Sequence, residues 1–182
     1  MKKLDLIYGV EHMERLLILT GTMGSGKTSV LGEASDILAE RNIVHAAIDV
    51  DALGLAHLST GASDAVMYDN LRSLCRNYAE LGVKRFLLAR ALEFESQLKL
   101  CREIVGTSQT VVCRLTASME LMQRRVELRE PGISGRAYCA RVAILNSILD
   151  GAHLEDFTVR NEDRSLTDVA MEVLEKANWI SG

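Results

Sequence analysis

Proline is almost missing from this 182-residue chain. The single copy, Pro131, sits in "REPGISG", and only that stretch and "STGASD" read as extended loops. No internal repeat and no low-complexity segment interrupts the rest. No apolar run approaches the ~18 residues that a membrane span needs. Two lysines near the start are followed by neither a long apolar core nor a small-residue cleavage site, so no signal peptide is expected. Positive charge is not in excess: a net charge of -4 and a pI near 5.6 argue against a general binder of nucleic acid or membrane surfaces. Any anion must therefore be held by a local arrangement. Cys75, Cys101, Cys113 and Cys139 are far apart and form no C-x-x-C pair, which removes support for zinc or redox chemistry. They read as reduced thiols, and the default location is the cytoplasm.

What is present is ordinary for a globular protein, 48% hydrophobic and 25% charged, in a length that suits one domain spanning 1–182. Short apolar runs alternate with helix-length segments. The runs are "RLLILTG" (15–21), "NIVHAAIDV" (42–50), "VKRFLLAR" (83–90), "QTVVCRLT" (109–116) and "DFTVRN" (156–161). Each is short and β-branched or leucine-rich, as strands buried on both faces of a parallel sheet are. In "KTSVLGEASDILAERN", Val30, Leu31, Ala34, Ile37 and Leu38 recur at helical spacing. Ser165 with Asp168 three residues on predicts a capping box for a last helix. The alternation predicts a three-layer α/β/α fold with right-handed crossovers. The first twelve residues fit no unit; a surface extension, or a translation start at Met13, accounts for them.

Gly21, Gly26, Lys27 and Thr28 fill the Walker A pattern G-x-x-x-x-G-K-[ST], in the stretch "LLILTGTMGSGKTSV". A random match in a chain of this length has odds of about one in a hundred. The match also follows a strand and opens a helix, the context the motif requires. Glycines let successive backbone N–H groups turn inward on a phosphate, and the helix N-terminus adds partial positive charge. The expected nucleotide-binding residues are Gly21, Met23, Gly24, Ser25, Gly26, Lys27, Thr28 and Ser29, with the Lys27 ammonium on the β- and γ-phosphates and the Thr28 hydroxyl on Mg²⁺. "AAIDVDALG" then brings Asp49 and Asp51 to the end of the second strand, where ligands of parallel α/β sheets gather. If the strand persists through them, both face one side. One carboxylate then positions metal while the other accepts a proton from an attacking hydroxyl. The alternative is that they cap a helix starting near Ala52.

"GTMGSGKTSVLGEASDILAERNIVHAAIDVDAL" resembles the opening of small-molecule kinases of the nucleoside monophosphate kinase type, among them shikimate, gluconate and adenylylsulfate kinases. That resemblance implies a five-stranded parallel sheet of order 2-3-1-4-5, a substrate cleft beyond the second strand, and ATP with Mg²⁺. "DFTVRNEDRSLTDVAMEVLEKANW" is similar to the family's final unit, where the loop after the last strand lies against adenine. "ASMELMQRRVELREPGISGR" is similar to its lid, here at about 124–136, with Arg124, Arg125, Arg129 and Arg136. Arg125 and Arg129 are four apart and share a helix face, which suits closure over phosphates. The alternative is a solvated face paired with Glu120, Glu127 and Glu130.

Two departures limit the match. The third strand, "RFLLARALEFES", has no aspartate after its apolar run, so the metal falls to Thr28 and Asp49, or to Glu93. Arg90 stands at that strand's end, facing substrate or merely the surface. The segment after "DVD", with His57, Tyr68, Asn70 and Arg72, lacks the substrate motifs of the named relatives. His57 belongs to no catalytic constellation. The resulting expectation is an ATP- and Mg²⁺-dependent phosphotransferase whose partner is a small hydroxyl- or phosphate-bearing acceptor, not nucleic acid or a membrane, acting as monomer or homodimer. Lys27, Asp49, Asp51, Arg125 and Arg129 are its expected catalytic residues. A nucleotide-binding switch, or a triphosphatase without small-molecule kinase activity, is the alternative.

Overall fold

A computed structural model describes residues 15–55, 63–129 and 135–181. The chain runs β1 (Arg15–Thr20), α1 (Lys27–Glu40), β2 (Ala46–Asp49), a 3₁₀ helix (Val50–Gly54), α2 (Ser63–Glu80), β3 (Arg85–Ala89), α3 (Glu95–Val105), β4 (Gln109–Thr116), α4 (Met119–Arg129), α5 (Gly135–Ala152), β5 (Phe157–Arg160) and α6 (Leu166–Lys176). All pairings are parallel, in the order β2-β3-β1-β4-β5. That is the α/β architecture and strand order expected from the sequence.

The central strand shows why the order is stable. Leu16, Leu17, Ile18 and Leu19 are all fully buried, since helices cover both faces of β1. Alternation sends Leu17 and Leu19 to a core shared with α1 and α6, and Leu16 and Ile18 to one shared with α2 and α3. Helix α1 contributes Val30, Leu31, Ala34, Ile37 and Leu38 to the first of these cores, the same five residues that its periodicity singles out. Ser165 caps α6 as expected, its hydroxyl accepting from the Asp168 N–H at 3.0 Å.

Strand limits differ in one place that matters. β2 begins at Ala46 rather than at residue 42, because Asn42 adopts a left-handed conformation (φ 55°) and the chain turns before entering the sheet. The strand then stops at Asp49, so it does not persist through Asp51. The extension 1–12, His57 and the lid loop 130–134 lie outside the described residues. Among the described residues no helix is long and apolar enough to cross a membrane.

Candidate nucleotide and acceptor site

The carboxyl ends of β1, β2 and β3 open onto a cleft of about 650 Å³. One wall is the loop between β1 and α1. Gly21, Gly24 and Gly26 there have φ of 147°, 77° and 97°, a region that glycine alone enters without strain. Space is as tight as conformation: a Cβ on Gly26 would lie 2.1 Å from Asn161 Nδ2, and one on Gly24 would lie 2.2 Å from the Met122 carbonyl oxygen. The loop is therefore wedged between α4 and the residue that follows β5. It is held there by hydrogen bonds: Asn161 Nδ2 donates to the Ser25 carbonyl at 2.8 Å, and Thr22 Oγ1 donates to the Val142 carbonyl at 3.1 Å. Met23 fills the gap toward α5, packing near Ala91, Leu145 and Leu149.

Lys27 opens α1 and lines the cleft. Its ammonium donates to the carbonyls of Gly21 (3.0 Å) and Thr22 (3.3 Å), folded back on its own loop. Burial holds its pKa below the ordinary lysine value; Asp51 and Asp49 pull it up, and Arg129 and Arg90 push it down. A half-buried cation with only two neutral acceptors is prepared for an anion. Thr28 Oγ1 donates to Asp49 Oδ2 at 2.7 Å. These two hard oxygen donors suit Mg²⁺, which takes one or two protein ligands and completes its shell with phosphates and water. Among the described residues no group of three or more His, Cys, Asp or Glu is placed to hold a metal by itself.

Asp49 takes the capping role of the alternative reading while also lining the cleft beside Thr28. Besides meeting Thr28, its other oxygen accepts from the Asp51 N–H at 3.2 Å and caps the 3₁₀ helix that begins at Val50. Asp51 therefore leaves the strand direction and pairs with Arg90 at 2.6 Å. Arg90 is no plain surface arginine: its side chain is 13% exposed, it sits 3.8 Å from Asp64, and its guanidinium lies over the Tyr68 ring. Burial alone would lower the Arg90 pKa, but the Asp51 hydrogen bond and charge more than offset this and leave it raised. Where the third strand lacks a carboxylate, a cation thus stands instead, bound to the second aspartate. Glu93 lines the opposite bank and pairs with Arg141 at 3.3 Å. Asn70 bonds the Leu53 carbonyl at 2.9 Å and so braces the 3₁₀ helix.

Arg125 and Arg129 both lie on α4 and both line the cleft. The solvated face paired with glutamates is not what Arg125 forms. It donates to the Gly24 carbonyl and to the Asn161 carbonyl, each at 3.1 Å, and so clamps the loop to the end of β5. Arg124 and Arg136 are exposed, with neither lining the cleft. Gly21 and Ser25 also stand outside the cleft lining, while Met23, Gly24, Gly26 and Ser29 are in it. Sequence reasoning missed Tyr138, Arg141 and Leu145, which line the cleft from α5. Their spacing of three and four residues was the available signal. It also missed Asn161, whose role is purely tertiary.

The sequence matches no protein-family model and no curated protein. Solved structures do match. Shikimate kinase from Acinetobacter baumannii, in complex with shikimate, superposes with a TM-score of 0.59 at 16% identity, over 92% of this chain and 95% of that one. A gluconokinase from Sinorhizobium meliloti gives 0.58 at 15%, over 92% and 93%. The APS kinase of Mycobacterium tuberculosis, in complex with AMPPNP and APS, gives 0.58 at 21%, over 90% and 96%. At such identities the likeness is one of fold, and across nearly its whole length this chain has the fold of the P-loop small-molecule kinases.

Proposed function

We infer that the protein is an ATP-dependent phosphotransferase that uses Mg²⁺ and acts on a small hydroxyl- or phosphate-bearing acceptor. The observation that carries this reading is that the phosphate loop and the Asp49–Asp51–Arg90 bank share one cleft. A nucleotide's terminal phosphate and an acceptor can meet there. Phosphoryl transfer asks a protein mainly for positioning and for fixed charge. Loop amides and Lys27 hold the phosphates, with Lys27 exchanging its two carbonyls for phosphate oxygens. Thr28 and Asp49 would hold Mg²⁺, which neutralises charge on the phosphates when bound. Asp51 receives the acceptor's proton, Arg129 faces the phosphates from α4, and Arg125 keeps the loop in shape.

ADP release from ATP and Mg²⁺ across a panel of small acceptors tests it. Stimulation by at least one acceptor is expected; background hydrolysis with all of them would count heavily against the reading. A second reading, a nucleotide-binding switch, is favoured by the Asp51–Arg90 pair, which occupies the carboxylate that would act as base. Asp51→Ala separates the two. A kinase loses transfer and keeps ATP affinity, whereas a switch loses neither.

A further inference from the structure

At the opposite end of the sheet, roughly 20 Å from the phosphate loop along the six residues of β1, two arginines stand side by side. Arg15 and Arg85 open β1 and β3 and are register partners, as are Arg15 and Gln109 of β4. Register and alternation put both arginines on the face of Leu17 and Leu87, where the core against α6 ends. The segment after α6 closes over them. Asn178 turns it with a left-handed φ of 55°, and Trp179, 4% exposed, packs into the core edge.

The two guanidinium groups are treated differently. Arg15 is fixed: it donates to the carbonyls of Ala177 (3.2 Å) and Asn178 (3.0 Å) and lies 6.0 Å from the centre of the Trp179 ring. Arg85 makes no hydrogen bond and no ion pair among the described residues, and its Nε is buried without any partner. Burial, and then the Arg85 charge, hold the Arg15 pKa below its ordinary value, and no carboxylate opposes them. Both line a hollow of about 450 Å³ with Asn178, Trp179 and Ser181. Glu175 on its rim is the one acidic side chain among the described lining residues, and it pairs with neither arginine. Like charges on neighbouring strands repel, and a buried N–H without a partner is costly. An oxyanion relieves both at once, and the planar fork of a guanidinium matches phosphate and carboxylate oxygens.

We propose that this hollow is a second anion site, separate from the nucleotide cleft, which takes a small molecule carrying a phosphate or clustered carboxylates. Arg85 supplies the free fork, Arg15 the fixed charge beside it, and Trp179 the apolar wall.

Trp179 is the only tryptophan in the chain, so its fluorescence reports on this end of the sheet; it also borders a neighbouring hollow beside Gln109 and Thr110, and Arg85, which lines only the proposed site, tells the two apart. The test titrates the full chain, saturated with ADP and Mg²⁺ to fill the phosphate loop, with inorganic phosphate and separately with citrate; potassium chloride at matched ionic strength is the control. A saturable change in Trp179 emission is expected with phosphate, citrate or both, and which of them binds more tightly tells the two ligand chemistries apart. Arg85→Ala should weaken it by about tenfold or more, as loss of a charge-assisted contact implies, with Arg85→Lys in between. The Arg85 side chain makes no hydrogen bond or ion pair among the described residues, and circular dichroism of each variant checks that it stays folded. A response to chloride equal to that of phosphate and citrate would overturn the site, as would an unchanged titration in Arg85→Ala. Failure of the acceptor panel leaves this result untouched, because the readout requires no turnover.

Discussion

The two banks of the cleft are built by different means. The bank formed by the loop between β1 and α1 is made of backbone: three glycines at positive φ, and carbonyls tied to Asn161, Arg125 and Lys27. The bank proposed to meet the acceptor is made of side chains that satisfy one another, Thr28 with Asp49 and Asp51 with Arg90. Backbone geometry is set by the fold and leaves the Lys27 ammonium bonded to two carbonyls, with no carboxylate in ion-pair contact among the described residues. Paired side chains hold their charges closed until a ligand offers something better. The first bank is thus poised for an anion, and the second is poised for exchange of partners.

The sharpest break of this contrast is at Lys27. Because its ammonium contributes only hydrogen bonds to two carbonyls, Lys27→Ala should leave the unfolding midpoint nearly unchanged. ATP affinity should fall by about 2 kcal/mol or more, roughly thirtyfold in Kd, for loss of a charge-assisted contact. Isothermal calorimetry with ATP and Mg²⁺ measures it, and an unchanged Kd would remove Lys27 from its assigned role.

On the other bank the effects should reverse, with stability moving and nucleotide affinity holding. Asp51→Ala leaves the nearly buried Arg90 with Asp64 at 3.8 Å and the Tyr68 ring, and Arg90→Met leaves Asp51 unpaired but 44% exposed. Asp51→Ala should therefore cost more, about 1–2 kcal/mol in urea unfolding, and Arg90→Met less than about 1 kcal/mol. The double variant should cost less than the sum, with a coupling near 1 kcal/mol. Strict additivity would mean that the 2.6 Å pair contributes no interaction of its own.

The same contrast explains what the sequence disclosed. The phosphate loop was legible because a local pattern, glycines at fixed spacing between a strand and a helix, carries its whole geometry. Strand order followed from the family resemblance, and the buried face of α1 from its period. Asp51 reaches the cleft, but from the 3₁₀ helix and not from the strand, because β2 stops at Asp49, whose side chain caps that helix in competition with strand propagation. Sequence alone does not choose between surface and site for Arg90, since its partners come from the 3₁₀ helix and α2, far away in sequence. Asn161 carried no signal: an asparagine after a short strand is ordinary until the loop it supports is in view.

Asn161 also gives the smallest and cleanest test of the backbone-built bank. Its main chain does much of its bonding: its N–H donates to the Thr116 carbonyl at 2.8 Å, and its carbonyl accepts from Arg125. Asn161→Ala keeps both and removes only the donor to the Ser25 carbonyl, a buried contact at 2.8 Å. Stability should fall by about 1 kcal/mol, and ATP affinity by a few-fold as the loop loosens. The substitution also clears the atom that a Cβ on Gly26 would strike at 2.1 Å, while the φ of 97° remains. Gly26→Ala should therefore cost several kcal/mol in the native background, from clash and backbone strain together. In the Asn161→Ala background it should cost only about 1–2 kcal/mol, the share due to a left-handed alanine. Equal costs in the two backgrounds would show that Asn161 yields freely and does not wedge the loop, so the rigidity of this bank would then reside in the glycines and Arg125.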